Sequence, residues 1–166
     1  FYYPKINKDH ALVISFPPII FLFFTNLGFF TSTLNLYFLK LYDIPEFLNI
    51  LRSYEIGLLL IISSLIIFAI SINTFNKVDE NPIPTSSTTQ IISQSIYRYT
   101  RNPMYLAMLI LQVGIGMFLS MIHIIFFTIF TYIVLKYYVI LPEEKYLEKK
   151  FGVKYLVYKK IVRRWL

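Results

Sequence analysis

The sequence predicts an all-α protein: a multi-span transmembrane helical bundle of four spans, the last two a tight hairpin, followed by an amphipathic cytosolic tail. Three observations predict it. Of 166 residues, 57 % are hydrophobic and only 15 % charged, where a soluble domain carries about 25 % charged residues. Apolar stretches long enough for the roughly 20 residues that cross a bilayer recur along the chain. The basic residues gather on one side of the arrangement those stretches define.

The first span is expected over roughly 12–31, "LVISFPPIIFLFFTNLGFFT", with Pro17 and Pro18 in its first turns, where proline is tolerated. "LNLYFLKLY" (34–42) is too short to cross and is left open as a fifth, interfacial helix. The second span covers roughly 56–75, "IGLLLIISSLIIFAISINTF". A polar, Ser/Thr/Pro-containing loop follows. From Met104 to Leu141 the chain is almost continuously apolar. As one helix that stretch would rise about 57 Å, against a hydrocarbon core of about 30 Å, so it must fold back, near Phe118–His123. Pro142 then stands where a first-turn proline fits, and Glu143 and Glu144 follow where the helix dipole favours negative charge. Leu147, Phe151, Tyr155, Tyr158 and Val162 recur at three- and four-residue spacing beside lysines, an apolar stripe suited to a membrane surface or to the protein's own core, with Gly152 expected to interrupt it. The chain divides into transmembrane helices at 1–75 and a region at 76–166 that holds the polar motifs.

Four spans put the amino terminus, the loop 76–103 and the tail on one face. Lys5, Lys8, Lys77, Arg98, Arg101 and eight tail residues make thirteen basic groups there, against Lys40 and Arg52 on the other face. By the positive-inside rule the first face is cytosolic. The net charge of +7 is therefore read as topology and attraction to anionic membrane lipid; no nucleic-acid motif accompanies it. The chain has no cysteine and two distant histidines, His10 and His123, which excludes a thiolate nucleophile and argues against a histidine metal centre. No metal is expected.

Two distant segments meet on the cytosolic face: "YRYTRNPMY" at the start of the third span and "LPEEKYLEKKFGVKYLVY" after the fourth. Because the two spans form a hairpin, Arg101 can approach Glu143 or Glu144. Taken singly, these residues read as an anchor arginine, a helix-starting proline and two capping acids. Together they enclose a polar pocket beside lipid. Gly114 and Gly116 are expected to allow close helix packing, Gln112 to hydrogen-bond between helices, and Ser63 and Ser64 to bond to their own backbone.

The run "NPIPTSSTTQIISQSIYRYTRNPMYLAMLILQVG", followed after the hairpin by "LPEEKYLEKKFGVKYLVYKKIVRRW", resembles the isoprenylcysteine carboxyl methyltransferase and phospholipid methyltransferase family, in its bacterial-type branch. The motifs are Arg-Asn-Pro-x-Tyr at a helix start, Glu-Glu, Phe-Gly-x-x-Tyr-x-x-Tyr and a terminal Arg-Arg-Trp; they cover residues 73–166. The resemblance implies an integral-membrane methyltransferase using S-adenosylmethionine, with 76–166 as its catalytic region. Arg101, Asn102, Pro103, Tyr105, Glu143, Glu144, Tyr155, Tyr158 and Arg163 would line the donor site, Arg101 and Glu144 being closest to the chemistry. The chain departs from the family pattern at Ser95 and Ala107, both usually glycine, and has Asn102 where the eukaryotic enzymes carry histidine.

The residue types suit this chemistry. A sulfonium donor is already activated, so the protein must chiefly align it with the acceptor. Arginine suits the donor's carboxylate, and glutamates its ammonium and ribose hydroxyls. An ionised carboxylate acceptor needs no base; an amine needs one, and only Glu143, Glu144 or a tyrosine is at hand. The first expectation is methyl transfer to a lipophilic, isoprenylcysteine-type carboxylate at the cytosolic membrane face. The alternatives are phospholipid N-methylation, a reductase of the sterol-reductase type, which the paired glutamates and short length disfavour, and a non-enzymatic scaffold with a basic lipid-binding tail. The sequence specifies neither the acceptor nor the oligomeric state.

Overall fold

The computed structural model describes residues 11, 13, 16–39, 45–83 and 86–165. Among them the protein is helical, with no strand beyond one isolated bridge between Thr100 and Arg163. Helix α1 (Pro17–Thr33) continues into a wide π turn over Leu34–Leu39; α2 is Tyr54–Asn76, α3 Pro103–Phe118, α4 Ile122–Leu135, α5 Leu141–Phe151 and α6 Val153–Ile161. Short 3-10 turns lie at Glu46–Arg52 and Ser95–Arg98. The segment 34–42 is thus, as far as Leu39, an extension of α1 rather than a separate helix; 40–44 lie outside the described residues.

Three helical stretches are long and apolar enough to cross a membrane: Pro17–Leu39, Tyr54–Asn76 and Ile122–Phe151. The fourth expected span, α3, has 16 residues and rises only about 24 Å. It is short because the chain turns back immediately after it, through Ser120 at φ 56°. Its partner arm is long because it does not stop at the proline. Pro142 has no N–H to give and crowds the carbonyl four residues before it. A π turn over Lys136–Ile140, in which Leu141 N–H bonds Lys136 O, widens the backbone just there. One continuous rod therefore carries α4 into α5, and the tail begins inside it rather than as a new helix. Gly152, at φ 55° and ψ −127°, ends the rod as expected, in a conformation that suits glycine. Helix α6 then returns toward the bundle, and Trp165 packs on Tyr132 with ring centroids 5.5 Å apart.

Helix α2 packs on α3, α3 on α4 and α4 on α1. In lipid, apolar side chains gain little by leaving the solvent, so association rests on close contact between small residues. Gly57 meets α3 so closely that a β-carbon there would collide with the Phe118 backbone and come within 2.9 Å of Gly114 O. Gly28 does the same on α4, where a β-carbon would lie 2.7 Å from Ile124 Cα. Hydroxyls inside the spans turn to their own helix: Ser63 donates to Leu59 O, Ser64 to Ile61 O, Ser71 to Ile67 O and Thr131 to Phe127 O. Gln112 is 0 % exposed, and neither of its amide atoms has a hydrogen-bond partner. The interhelical bond expected of it is not made. Near the hairpin, His123 Nδ1 and Ser32 Oγ are 2.8 Å apart, tying the start of α4 to the end of α1.

Gly57→Ala should cost about 1–3 kcal/mol, since a backbone rather than a flexible side chain must move; a melting temperature in detergent checks this. Single cysteines at Thr88 and Lys150 should label from the same side of the membrane, since loop and tail are bonded to each other; opposite labelling would contradict the packing of tail on loop.

Candidate active site

The site is built where the carboxyl-terminal tail closes on the mouth of α3. Tyr97 sits in the 3-10 turn over Ser95–Arg98. Ser95 enters that turn at φ 55°, a left-handed conformation that costs a serine more than a glycine. Asn102 precedes Pro103, the first residue of α3, whose missing N–H is harmless there. Glu143 and Glu144 come from the first turn of α5, and Tyr155 and Tyr158 from the inner face of α6.

Most of the polar side chains of the Arg-Asn-Pro motif are engaged by the tail. Arg101 Nη1 donates to Lys159 O at 2.9 Å and Val162 O at 2.7 Å, Nη2 donates to Glu144 Oε1 at 2.8 Å, and the Arg101 backbone N–H bonds Arg163 O at 3.0 Å. The fork thus caps the carboxyl end of α6, where the helix leaves carbonyls unsatisfied. Asn102 Nδ2 and Thr100 Oγ1 both donate to Arg164 O. Tyr158 Oη donates to Tyr97 O at 2.8 Å. Glu144 is the hub: it accepts from Arg101 and, in two bonds of 2.9 and 2.7 Å, from Arg164. The side chains of Arg101 and Glu144 are 7 % and 5 % exposed. The bond to Glu144 holds Arg164 above its ordinary basicity, and burial raises the phenols of Tyr97, Tyr155 and Tyr158 so that they stay protonated.

Beneath this latch lies an open cleft whose empty space, open solvent at the mouth included, is about 840 Å³. Arg101, Asn102, Pro103, Tyr105, Glu143, Glu144, Tyr155 and Tyr158 all line it. Apolar residues, among them Phe75, Ile91, Ile92, Met104 and Leu147, complete the wall. Tyr105 Oη donates to Glu143 Oε1 at 2.8 Å. Two donors here are buried without a partner: Arg101 Nε and Tyr97 Oη.

Of the nine residues expected at the site, the structure brings eight together. Arg163 is the exception: its side chain is exposed and outside the cleft, and the neighbouring Arg164 reaches Glu144 instead. Helix α6 ends at Ile161 and the backbone turns extended at Val162, which leaves Arg163, matched to a basic position of the family motif, outside and brings Arg164 to Glu144. Tyr97 and Phe75 were also not singled out. Tyr97 stood in the quoted "YRYTRNPMY" stretch, but nothing in its spacing separated it from Tyr99, which is exposed. Among the described residues no group of acidic residues or histidines is placed to hold a metal.

No curated protein and no solved structure matches the chain. The sequence model of the phospholipid methyltransferase family matches residues 52–154, more than half of the chain. The match starts earlier than the motif resemblance, taking in all of α2, and ends at Lys154, before the tail that seals the cleft. A helical membrane bundle with a partly apolar cleft at the mouth of one helix is thereby assigned: the chain belongs to the phospholipid methyltransferase family, a family of membrane methyltransferases.

Proposed function

We propose that the protein transfers a methyl group from S-adenosylmethionine to a lipophilic acceptor at the cytosolic face of the membrane. The observation that carries this reading is the pairing, in one cleft at the edge of the spans, of an orphaned arginine N–H with a carboxylate that no cation neutralises. Arg101 Nε is buried and unpartnered, a donor suited to the methionine carboxylate. Glu143, among the described residues, has no ion-pair partner, and its one bond, from Tyr105, occupies Oε1; Oε2 is left for an ammonium or a ribose hydroxyl. Asn102 and Pro103 shape the floor, and Tyr155 and Tyr158 close the tail over it. The thirteen basic groups on this face support the cytosolic orientation.

When bound, the donor supplies a methyl carbon on a positively charged sulfur: the acceptor's lone pair forms the new bond to carbon, the sulfur–carbon bond breaks, and the electron pair returns to sulfur as a neutral thioether. The chain's part is alignment and exclusion of water. The apolar wall of Phe75, Ile91, Ile92, Met104 and Leu147 suits an acceptor delivered from the bilayer, and an isoprenylcysteine-type carboxylate would need no base. One observation favours phospholipid N-methylation as a second reading. An amine must lose a proton as it is methylated, and Glu143 is free to take it at a carboxylate oxygen, whereas Glu144 is committed to two arginines. The scaffold alternative requires no donor site at all.

S-adenosylhomocysteine should raise the melting temperature of the detergent-solubilised protein, by the equivalent of about 2.7 kcal/mol at a hundredfold excess over Kd; no shift would leave the scaffold reading standing. Glu143→Gln should weaken that ligand about tenfold or more with little loss of stability, since glutamine's oxygen can still accept from Tyr105 and no ion pair is lost. Glu144→Gln should instead destabilise the fold by about 3–5 kcal/mol, because it strands two arginines. Glu148→Gln, on the surface, should change stability by about 1 kcal/mol or less. Arg101→Lys should lower both stability and ligand affinity, for lysine has no planar fork to hold carbonyls and carboxylate together. Calorimetry and thermal melts on the four variants check the set. Parent-like ligand affinity in Glu143→Gln and Arg101→Lys together would overturn the donor site.

A further inference from the structure

Tyr97 lines the cleft with a polar atom that has no task in the latch. Its ring is 5 % exposed and stands edge-on to Phe75 with centroids 5.6 Å apart. Its backbone carbonyl is held by Tyr158 Oη, so the residue is fixed at both ends. Its hydroxyl, however, is buried and makes no hydrogen bond. Ser71 Oγ on α2 stands close to that hydroxyl but gives its own proton to Ile67 O at 2.7 Å, and no hydrogen bond of ordinary geometry joins the two. A buried hydroxyl without a partner forfeits about 1–3 kcal/mol of hydration. Phenylalanine would fill the same space without that cost, so packing alone gives no reason for tyrosine here.

The surroundings say what the hydroxyl is for. Tyr97 lines the same cleft as the apolar wall, whose Phe75 near the end of α2 it packs against, and as Glu143 and Tyr105. The other orphaned donor of the cleft, Arg101 Nε, stands on the tail side, beside Glu144 and the end of α6. An amphiphile that lies along the apolar wall and presents a polar head toward Glu143 meets Tyr97 at the junction of the two. Burial keeps the phenol protonated, so it can give a hydrogen bond and is not a base.

We propose that Tyr97 is the residue that positions the methyl acceptor, its hydroxyl donating a hydrogen bond to an oxygen of the acceptor's polar head beside the reacting atom. This rests on the methyltransferase reading above and adds to it the residue that receives the second substrate. The bond orients and transfers no proton; it leaves the balance of the methyl transfer unchanged.

The test is Tyr97→Phe in the full chain, reconstituted in nanodiscs. Three quantities are measured: melting temperature, affinity for S-adenosylhomocysteine by calorimetry, and transfer of labelled methyl to two probes, N-acetyl-S-farnesylcysteine and phosphatidylethanolamine. The expected result is a melting temperature equal to or above the parent's, an S-adenosylhomocysteine affinity within about twofold, and about a tenfold rise in KM for whichever probe the parent methylates. Ser71→Ala should match the parent in transfer. A lower melting temperature would make the hydroxyl structural and overturn the proposal. So would a loss of S-adenosylhomocysteine affinity, which would assign Tyr97 to the donor, or an unchanged KM. If the parent binds S-adenosylhomocysteine but methylates neither probe, the lipophilic-acceptor reading and this proposal fall while the donor site stands; if it binds none, the methyltransferase site itself falls.

Discussion

The buried ion cluster of Arg101, Glu144 and Arg164 is the constraint on which the rest of the site depends. It joins three segments far apart in sequence: the mouth of α3, the first turn of α5 and the residues after α6. Removing charges from water is costly, and a pair of this kind is retained only where every polar atom finds a partner. Glu144 meets that condition with three charge-assisted bonds, and Arg101 meets it at both terminal nitrogens, which hold Glu144 and the carbonyls at the end of α6, but not at Nε. The cluster therefore does less to stabilise the bundle than to fix the register of the tail. Without it, α6 has an inner stripe of Tyr155, Tyr158 and Val162 but nothing that says where along the cleft the stripe should settle.

This division of labour changes the meaning of the polar helix mouth. Arg101 is neither a simple interfacial anchor nor wholly a ligand-binding group. Its two terminal nitrogens hold protein, and only Nε remains uncommitted. Glu143 and Glu144, adjacent in sequence, are likewise divided: one belongs to the latch, the other to the cleft. Consecutive residues on a helix point about 100° apart, so although both line the cleft, Glu143 meets Tyr105 while Glu144 meets the two arginines.

Much of this was legible in the sequence. Hydropathy gave the apolar stretches, and the length of the Met104–Leu141 run required the fold-back, because no bilayer accommodates it straight. The hairpin in turn required the arginine and the glutamates to meet. What escaped was local. The π turn before Pro142 has no signature in a hydropathy pattern, so the tail looked like a new helix and not the end of α4. Arg163 rested on a motif match alone, and a motif does not show which of two adjacent arginines the extended backbone after α6 turns inward. Tyr97 could not be told from Tyr99 because burial in a 3-10 turn follows no helical period. The short α3 was hidden as well: the apolar run is continuous across the turn, and composition does not mark where a helix ends inside lipid.

That shortness has a consequence for the membrane itself. The cleft end of α3 is held by Asn102 and the arginine latch, so a shortfall of roughly 6 Å against a hydrocarbon core of about 30 Å falls at the hairpin end. Phe118 and Leu119 at the hairpin tip are exposed and apolar, and suit acyl chains better than water. Lipid alongside α3 must then thin or deform to meet it, at a cost of fractions of a kcal/mol for each ångström of mismatch. A bundle with one short helix is expected to sit more comfortably in thin bilayers than in thick ones.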